Sequence, residues 1–172
     1  MMGTGSFPEL LKQSRERWGL DEATAAAMFG LSVFEWGDLE SHDDEWATVT
    51  PAITIEKIVN FFGIDWHTCI SLPTGRPFDA SMPMDQLCRL VREQSGLSRE
   101  DFADRVGFYP AFCEVIEGHI HGLSLYPITV ATELASVAGI DAQALVEKIL
   151  APSPAFRAPL RPTIPQFETH NE

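Results

Sequence analysis

The chain has 172 residues, 45% hydrophobic and 22% charged, enough for one ordinary domain or two small ones with real cores. Twelve Lys and Arg against twenty-five Asp and Glu give a formal net charge of −13, which repels a phosphate backbone unless the few bases gather on one face. The three cysteines (Cys69, Cys88, Cys113) form no tight pair, Met1 opens no basic or apolar leader, and no run approaches the roughly 18 apolar residues of a membrane helix, so the expectation is a reduced, soluble, cytoplasmic protein.

In chain order, Pro8 sits at a first-turn position, and Glu9 to Arg17 shows helical apolar spacing that Gly19 closes, which predicts a first helix. Asp21 is a good N-cap for a short second helix ending at Gly30, and a third is predicted from Ser32 to Glu40. A fourth runs from Thr54 to Phe62, and Asp65 caps a fifth over Trp66 to Ile70. Residues 71–83, opening Ser71-Leu72-Pro73-Thr74-Gly75-Arg76-Pro77, are rich in breakers and read as a linker. Beyond it Ser98 caps a helix ending at Gly107, and another runs from Tyr109, with Pro110 in its first turn, to Glu117. Ile128 to Ala138 and Ala142 to Leu150 complete the helices. Residues 151–172, with five prolines and the isolated apolar residues Phe156, Leu160, Ile164 and Phe167, read as an extended tail suited to linear docking.

The helices come in two sets. Arg15-Glu16-Arg17-Trp18-Gly19-Leu20-Asp21 matches Arg92-Glu93-Gln94-Ser95-Gly96-Leu97-Ser98 at an offset of 96 − 19 = 77, which also carries Leu10 onto Leu87, Ala26 onto Ala103 and Glu40 onto Glu117. Gly63-Ile64-Asp65 meets Gly139-Ile140-Asp141 at 139 − 63 = 76, so one residue is lost between the anchors, in the loop before Pro51 and Pro127. Two copies are fewer than the roughly three a solenoid needs, so the reading is a tandem pair, residues 7–70 and 84–150.

Helix, glycine turn, short helix, glycine turn and a third helix ending in Glu, as in Leu87-x-x-x-x-Arg92-x-x-x-Gly96-Leu97-Ser98 followed by Ile116-Glu117-Gly118, resembles the lambda-repressor-like, or XRE-type, helix-turn-helix family. The resemblance covers about residues 8–70 and 85–150, and implies an all-α fold of two tandem five-helix modules with a proline-rich C-terminal tail. The second copy is also similar to the helical N-terminal domain of cyanases, without the catalytic domain that would carry their activity.

In that family the third helix enters the major groove and reads base edges. The matching positions are Ser32, Val33, Phe34, Glu35 and Asp38 in the first copy and Tyr109, Pro110, Ala111, Phe112, Glu114 and Val115 in the second, and no Lys or Arg stands among them. The position that begins helix two, where the family places a phosphate contact, is Glu22 in one copy and Arg99 in the other. Two readings of the third-helix apolar residues stay open: they pack inward as ordinary core, or Phe34 with Trp36 or Trp46, and Phe108 with Tyr109 and Phe112, form exposed patches that mark a protein partner. The acidic loop Ser41-His42-Asp43-Asp44-Glu45-Trp46 is either a solvated charge run or a negative rim suited to a basic partner.

Enzymatic chemistry has little behind it. Cys113 with His119-x-His121 has the wrong spacing for one helical face and no second Cys-x-x-Cys knuckle, His67 near Cys69 lacks an orienting partner, and Gly3-Thr4-Gly5 follows no strand, so no metal and no cofactor are expected. The expectation is a non-catalytic regulatory or adaptor protein that binds a protein partner, a basic or DNA-binding protein or a second copy of itself, through Phe34, Glu35, Asp38, Trp46, Tyr109, Phe112, Phe156 and Phe167. A DNA mimic is a special case of it. The alternative is an XRE-type transcriptional regulator contacting DNA through Ser32, Arg92, Arg99 and Arg105.

Overall fold

A computed structural model describes residues 5–106, 110–118 and 122–151, except the side chains of Val106, Pro110 and Phe112. Among these the chain is all-helical, with no strand beyond a single parallel bridge between Arg76 and Ile140. In order the helices are α1 (Phe7–Arg17), α2 (Glu22–Phe29), α3 (Val33–Ser41), α4 (Glu45–Thr48), α5 (Ala52–Phe62), α6 (Met84–Gln94), α7 (Arg99–Val106), α8 (Pro110–Gly118), α9 (Ile128–Ala138) and α10 (Ala142–Ile149). Two 3-10 turns, Trp66–Thr68 and Gly122–Leu125, complete the set.

The predicted caps form. Asp21 accepts a 2.7 Å hydrogen bond from the Thr24 amide, Ser98 Oγ accepts from the Asp101 amide at 3.1 Å, and Asp141 accepts from the Ala144 amide at 2.7 Å. Each fills one of the amide groups that the start of a helix leaves unpaired. Gly19 and Gly96, at matching positions, take φ of 67° and 69°, a left-handed conformation in which any side chain would be strained.

Two expectations change. The fifth helix predicted over Trp66 to Ile70 is only the 3-10 turn Trp66–Thr68, whereas its counterpart α10 is full length. Trp66-His67-Thr68-Cys69 are poor helix formers, and Pro73 leaves little room beyond them, while Ala142-Gln143-Ala144-Leu145 are good ones. The acidic loop also contains α4, nucleated where Trp46 turns inward and stacks on Phe7 with ring centroids 4.6 Å apart.

α3 packs on α1 and α2, and all three lie beside α4 or α5; α6 and α7 pack on α8 and α9, and α9 on α10. The two sets are joined, with α4 against α9 and α5 against both α10 and the turn Gly122–Leu125. The Ala52 amide donates to the Tyr126 carbonyl at 2.9 Å across that junction. The buried apolar residues, from Phe7 and Trp36 to Leu145 and Ile149, form one continuous core.

The segment between the sets is pinned. Arg76 exchanges backbone hydrogen bonds with Gly139 (3.0 Å) and Asp141 (2.9 Å), its guanidinium donates to the Ala138 carbonyl at 2.8 Å, and the Ala142 amide donates to the Pro73 carbonyl at 3.2 Å. Gly75 lies so close to the Ile140 carbonyl that a Cβ at this position would overlap it. A breaker-rich composition prevents a helix here, but the freed backbone groups find partners on the turn between α9 and α10.

Candidate functional site

The inward face of α3 is fixed by charge. Arg15, from α1, grips Glu40 with two hydrogen bonds, Nε to Oε1 at 2.6 Å and Nη2 to Oε2 at 2.8 Å, and its Nη1 donates to the Leu20 carbonyl at 2.9 Å. The Trp36 indole N–H donates to the same carboxylate at 2.7 Å. With the Arg15 side chain 9% exposed and that of Glu40 6%, this is a buried, two-pronged pair, and its hydrogen bond to Glu40 raises the pKa of the guanidinium further.

The same device recurs 77 residues on. Arg92 Nε donates to Glu117 Oε1 at 2.5 Å, and Arg92 Nη1 to the Leu97 carbonyl at 3.3 Å. A second cation joins it here, since Arg99 donates to Glu117 Oε2 from Nε at 3.0 Å and Nη2 at 2.8 Å. Arg99 stands where the first set has Glu22, which lies 3.8 Å from Arg15 instead. These pairs escaped the sequence reading, although the Arg-to-Glu separation of 25 in both copies was a visible signal.

The outward face of α3 differs from its inward one. Phe34 is 87% exposed and Val33 47%, so the exposed alternative holds for these two residues. Ser32 and Glu35 lock each other at the helix start: the Ser32 amide donates to Glu35 Oε2 at 2.7 Å, and Ser32 Oγ accepts from the Glu35 amide at 3.2 Å. Those bonds lower the Glu35 pKa, the backbone amide of Ser32 contributing most. Asp38 is exposed, with its carboxylate 3.8 Å from His42 Nδ1. Val33, Phe34, Gly37, Asp38 and Ser41, with Lys12 of α1 and Glu22 of α2, line an open groove of about 370 Å³.

Trp46 does not belong to this surface. At 2% exposed it is core, and its indole N–H donates to the Asp43 carbonyl at 3.0 Å. Trp36 is likewise buried, so the expected aromatic patch reduces to Phe34 and Val33 with exposed carboxylates beside them. Tyr109, Phe156 and Phe167, and the side chain of Phe112, lie outside the described residues, as do His119 and His121. Val115 is exposed on α8.

Of the residues expected to serve DNA contact, Ser32 caps α3, Arg92 and Arg99 are held by Glu117, and Arg105 is exposed. Residues 5–70 carry four bases (Lys12, Arg15, Arg17, Lys57) against twelve Asp and Glu, and Arg15 is turned inward.

A second hollow of about 430 Å³ runs past His67, Thr68, Cys69, Ile70, Ser71, Leu72 and Gln143 and is wide open to solvent. Burial raises the Cys69 pKa, the opposite of what a nucleophilic thiol requires. Burial also pushes Cys88 up to about 12 and raises Cys113. Among the described residues no group of three or more His, Cys, Asp or Glu side chains is arranged to hold a metal, and no helix is long and apolar enough to cross a membrane.

No family model matches the chain, and neither the curated proteins nor the solved structures include a match.

Proposed function

We propose that the chain is a non-catalytic regulatory adaptor built from two tandem helix-turn-helix-like modules, residues 7–70 and 84–150, in which the outward face of the third helix of the first module binds a protein. The observation that carries this reading is Phe34, a large apolar side chain 87% exposed at a position where the resembled family reads DNA. An exposed aromatic flanked by Val33 and bordered by Glu22, Glu35 and Asp38 has the composition of an interface with an apolar anchor and an acidic rim. The duplicated Arg15–Glu40 and Arg92–Glu117 pairs support the tandem arrangement, because each ties the first helix of its set to the third.

The same residues weigh against direct DNA contact. A recognition helix bearing Glu35 and Asp38 meets phosphate with repulsion, and two of the four candidate DNA-contact residues, Arg92 and Arg99, are already engaged by a carboxylate. The test combines affinity capture from the native cells with titration of random-sequence duplex DNA at about 50 mM salt. A partner retained by the native chain through nuclease treatment and lost by Phe34→Ala is the expected result. Duplex binding that falls steeply with salt, or capture unchanged in Phe34→Ala, overturns the reading.

A further inference from the structure

Gly37 lies in the middle of α3, where glycine is the least favourable residue after proline. Its φ is not positive, and a Cβ added there meets nothing within 4 Å, so neither backbone conformation nor packing within the described chain asks for it. It lines the groove together with Phe34. A missing side chain at that point lets another backbone approach the helix closely.

The chain itself contains a segment that fits. In a protein of net charge −13, residues 151–167 carry Arg157 and Arg161 and no acid. Pro159, Pro162 and Pro165 recur every third residue, the repeat of a polyproline II helix, with Phe156 and Leu160 alongside. Pro-rich segments of this kind dock in grooves that offer an aromatic face, and their preformed conformation keeps the ordering cost low. The groove supplies Phe34 as that face, Gly37 as the close approach, and the exposed carboxylates of Glu22 and Asp38 for the two guanidinium groups.

We propose that residues 156–165 of this chain fold back onto the groove of their own α3, so that the tail is an internal ligand that an external partner must displace. The inference rests on the reading of this face as a docking surface and adds its regulation. Partner exchange at Phe34 then becomes a competition governed by the tail.

Trypsin cleavage at Arg157–Ala158 in the full chain is the test, read by mass spectrometry against a free peptide of residues 152–167. Cleavage about ten-fold slower in the chain than in the peptide is expected, since cutting follows the population of the released tail. Phe34→Ala, Gly37→Leu and Arg161→Glu should each restore the peptide rate, with circular dichroism unchanged. A native rate equal to that of the peptide, or protection that survives Phe34→Ala, overturns the proposal. Protection that grows with protein concentration also overturns it, assigning the tail to the groove of a second copy. Cleavage at Arg157 reports on the tail alone, and partner capture on the surface, so the two readings fail separately.

Discussion

Replacing Glu40 by alanine leaves the Arg15 guanidinium, 9% exposed, and the buried Trp36 indole N–H without their shared acceptor. Removing one partner of a buried ion pair costs about 3–5 kcal/mol, because the remaining charge keeps its desolvation penalty and loses its attraction. Glu117→Ala should cost less, about 2 kcal/mol, as expected for charge-assisted hydrogen bonds lost by groups that water can reach. Arg99 is 49% exposed and rejoins solvent when Glu117 is gone. The assay is urea unfolding followed by tryptophan fluorescence and circular dichroism. With a slope of about 2 kcal/mol per molar, Glu40→Ala should lower the midpoint by about 2 M. The double variant Arg15→Met/Glu40→Gln removes both charges while keeping an acceptor for Trp36, and should recover more than half of the loss. The reasoning is refuted if Glu40→Ala costs no more than Glu117→Ala, or under about 1 kcal/mol, the value of a surface pair.

In a chain ending at Ala151, where the tail cannot occupy the groove, Gly37→Ala should raise stability by up to about 1 kcal/mol, because the added methyl improves helix propensity and meets no neighbour; thermal unfolding checks this, and a loss of stability would refute it. In alkylation at pH 8, the half-buried Cys69 should react first and the buried Cys88 and Cys113 only after denaturation, as mass spectrometry of partly labelled protein would reveal. The Asp21 pKa is lowered by its bonds to Thr24, so its contribution to stability is present above 3.8 and disappears as pH falls through the folded value. Asp21→Ala should therefore lower the melting temperature at pH 7, with the gap closing below pH 3.8, and a gap that persists at pH 2.5 would count against the cap.

Local rules made most of the helix ends legible. Asp21, Ser98 and Asp141 announced helix starts, and Gly19, Gly30, Gly63 and Gly139 the ends, because capping and left-handed turns depend on residues within one turn of each other. What failed depended on contacts across the chain. Trp46 looked exposed because its loop is acidic, and only the stack with Phe7, 39 positions earlier, buries it. Arg92 and Arg99 looked available for phosphate because Glu117 lies 25 and 18 residues away. Phe34 and Val33 could not be placed from periodicity, since Trp36 and Leu39 on the opposite face of α3 already satisfy a helical apolar stripe. Gly37 carried a signal that propensity alone could have raised, as a mid-helix glycine calls for a reason.

The junction between the two sets has a consequence for synthesis. α5 ends at Phe62, while α9, with which this half of the molecule is closed, begins at Ile128, so 128 − 62 = 66 residues are made in the interval. At about 5–20 residues per second the ribosome needs roughly 3–13 s to supply them. Helices form in microseconds, so for those seconds α4 and α5 stand ready with their later neighbours unmade. A newly made chain is therefore most open to chaperones, and to misassembly with another copy, between the release of α5 and the emergence of α9.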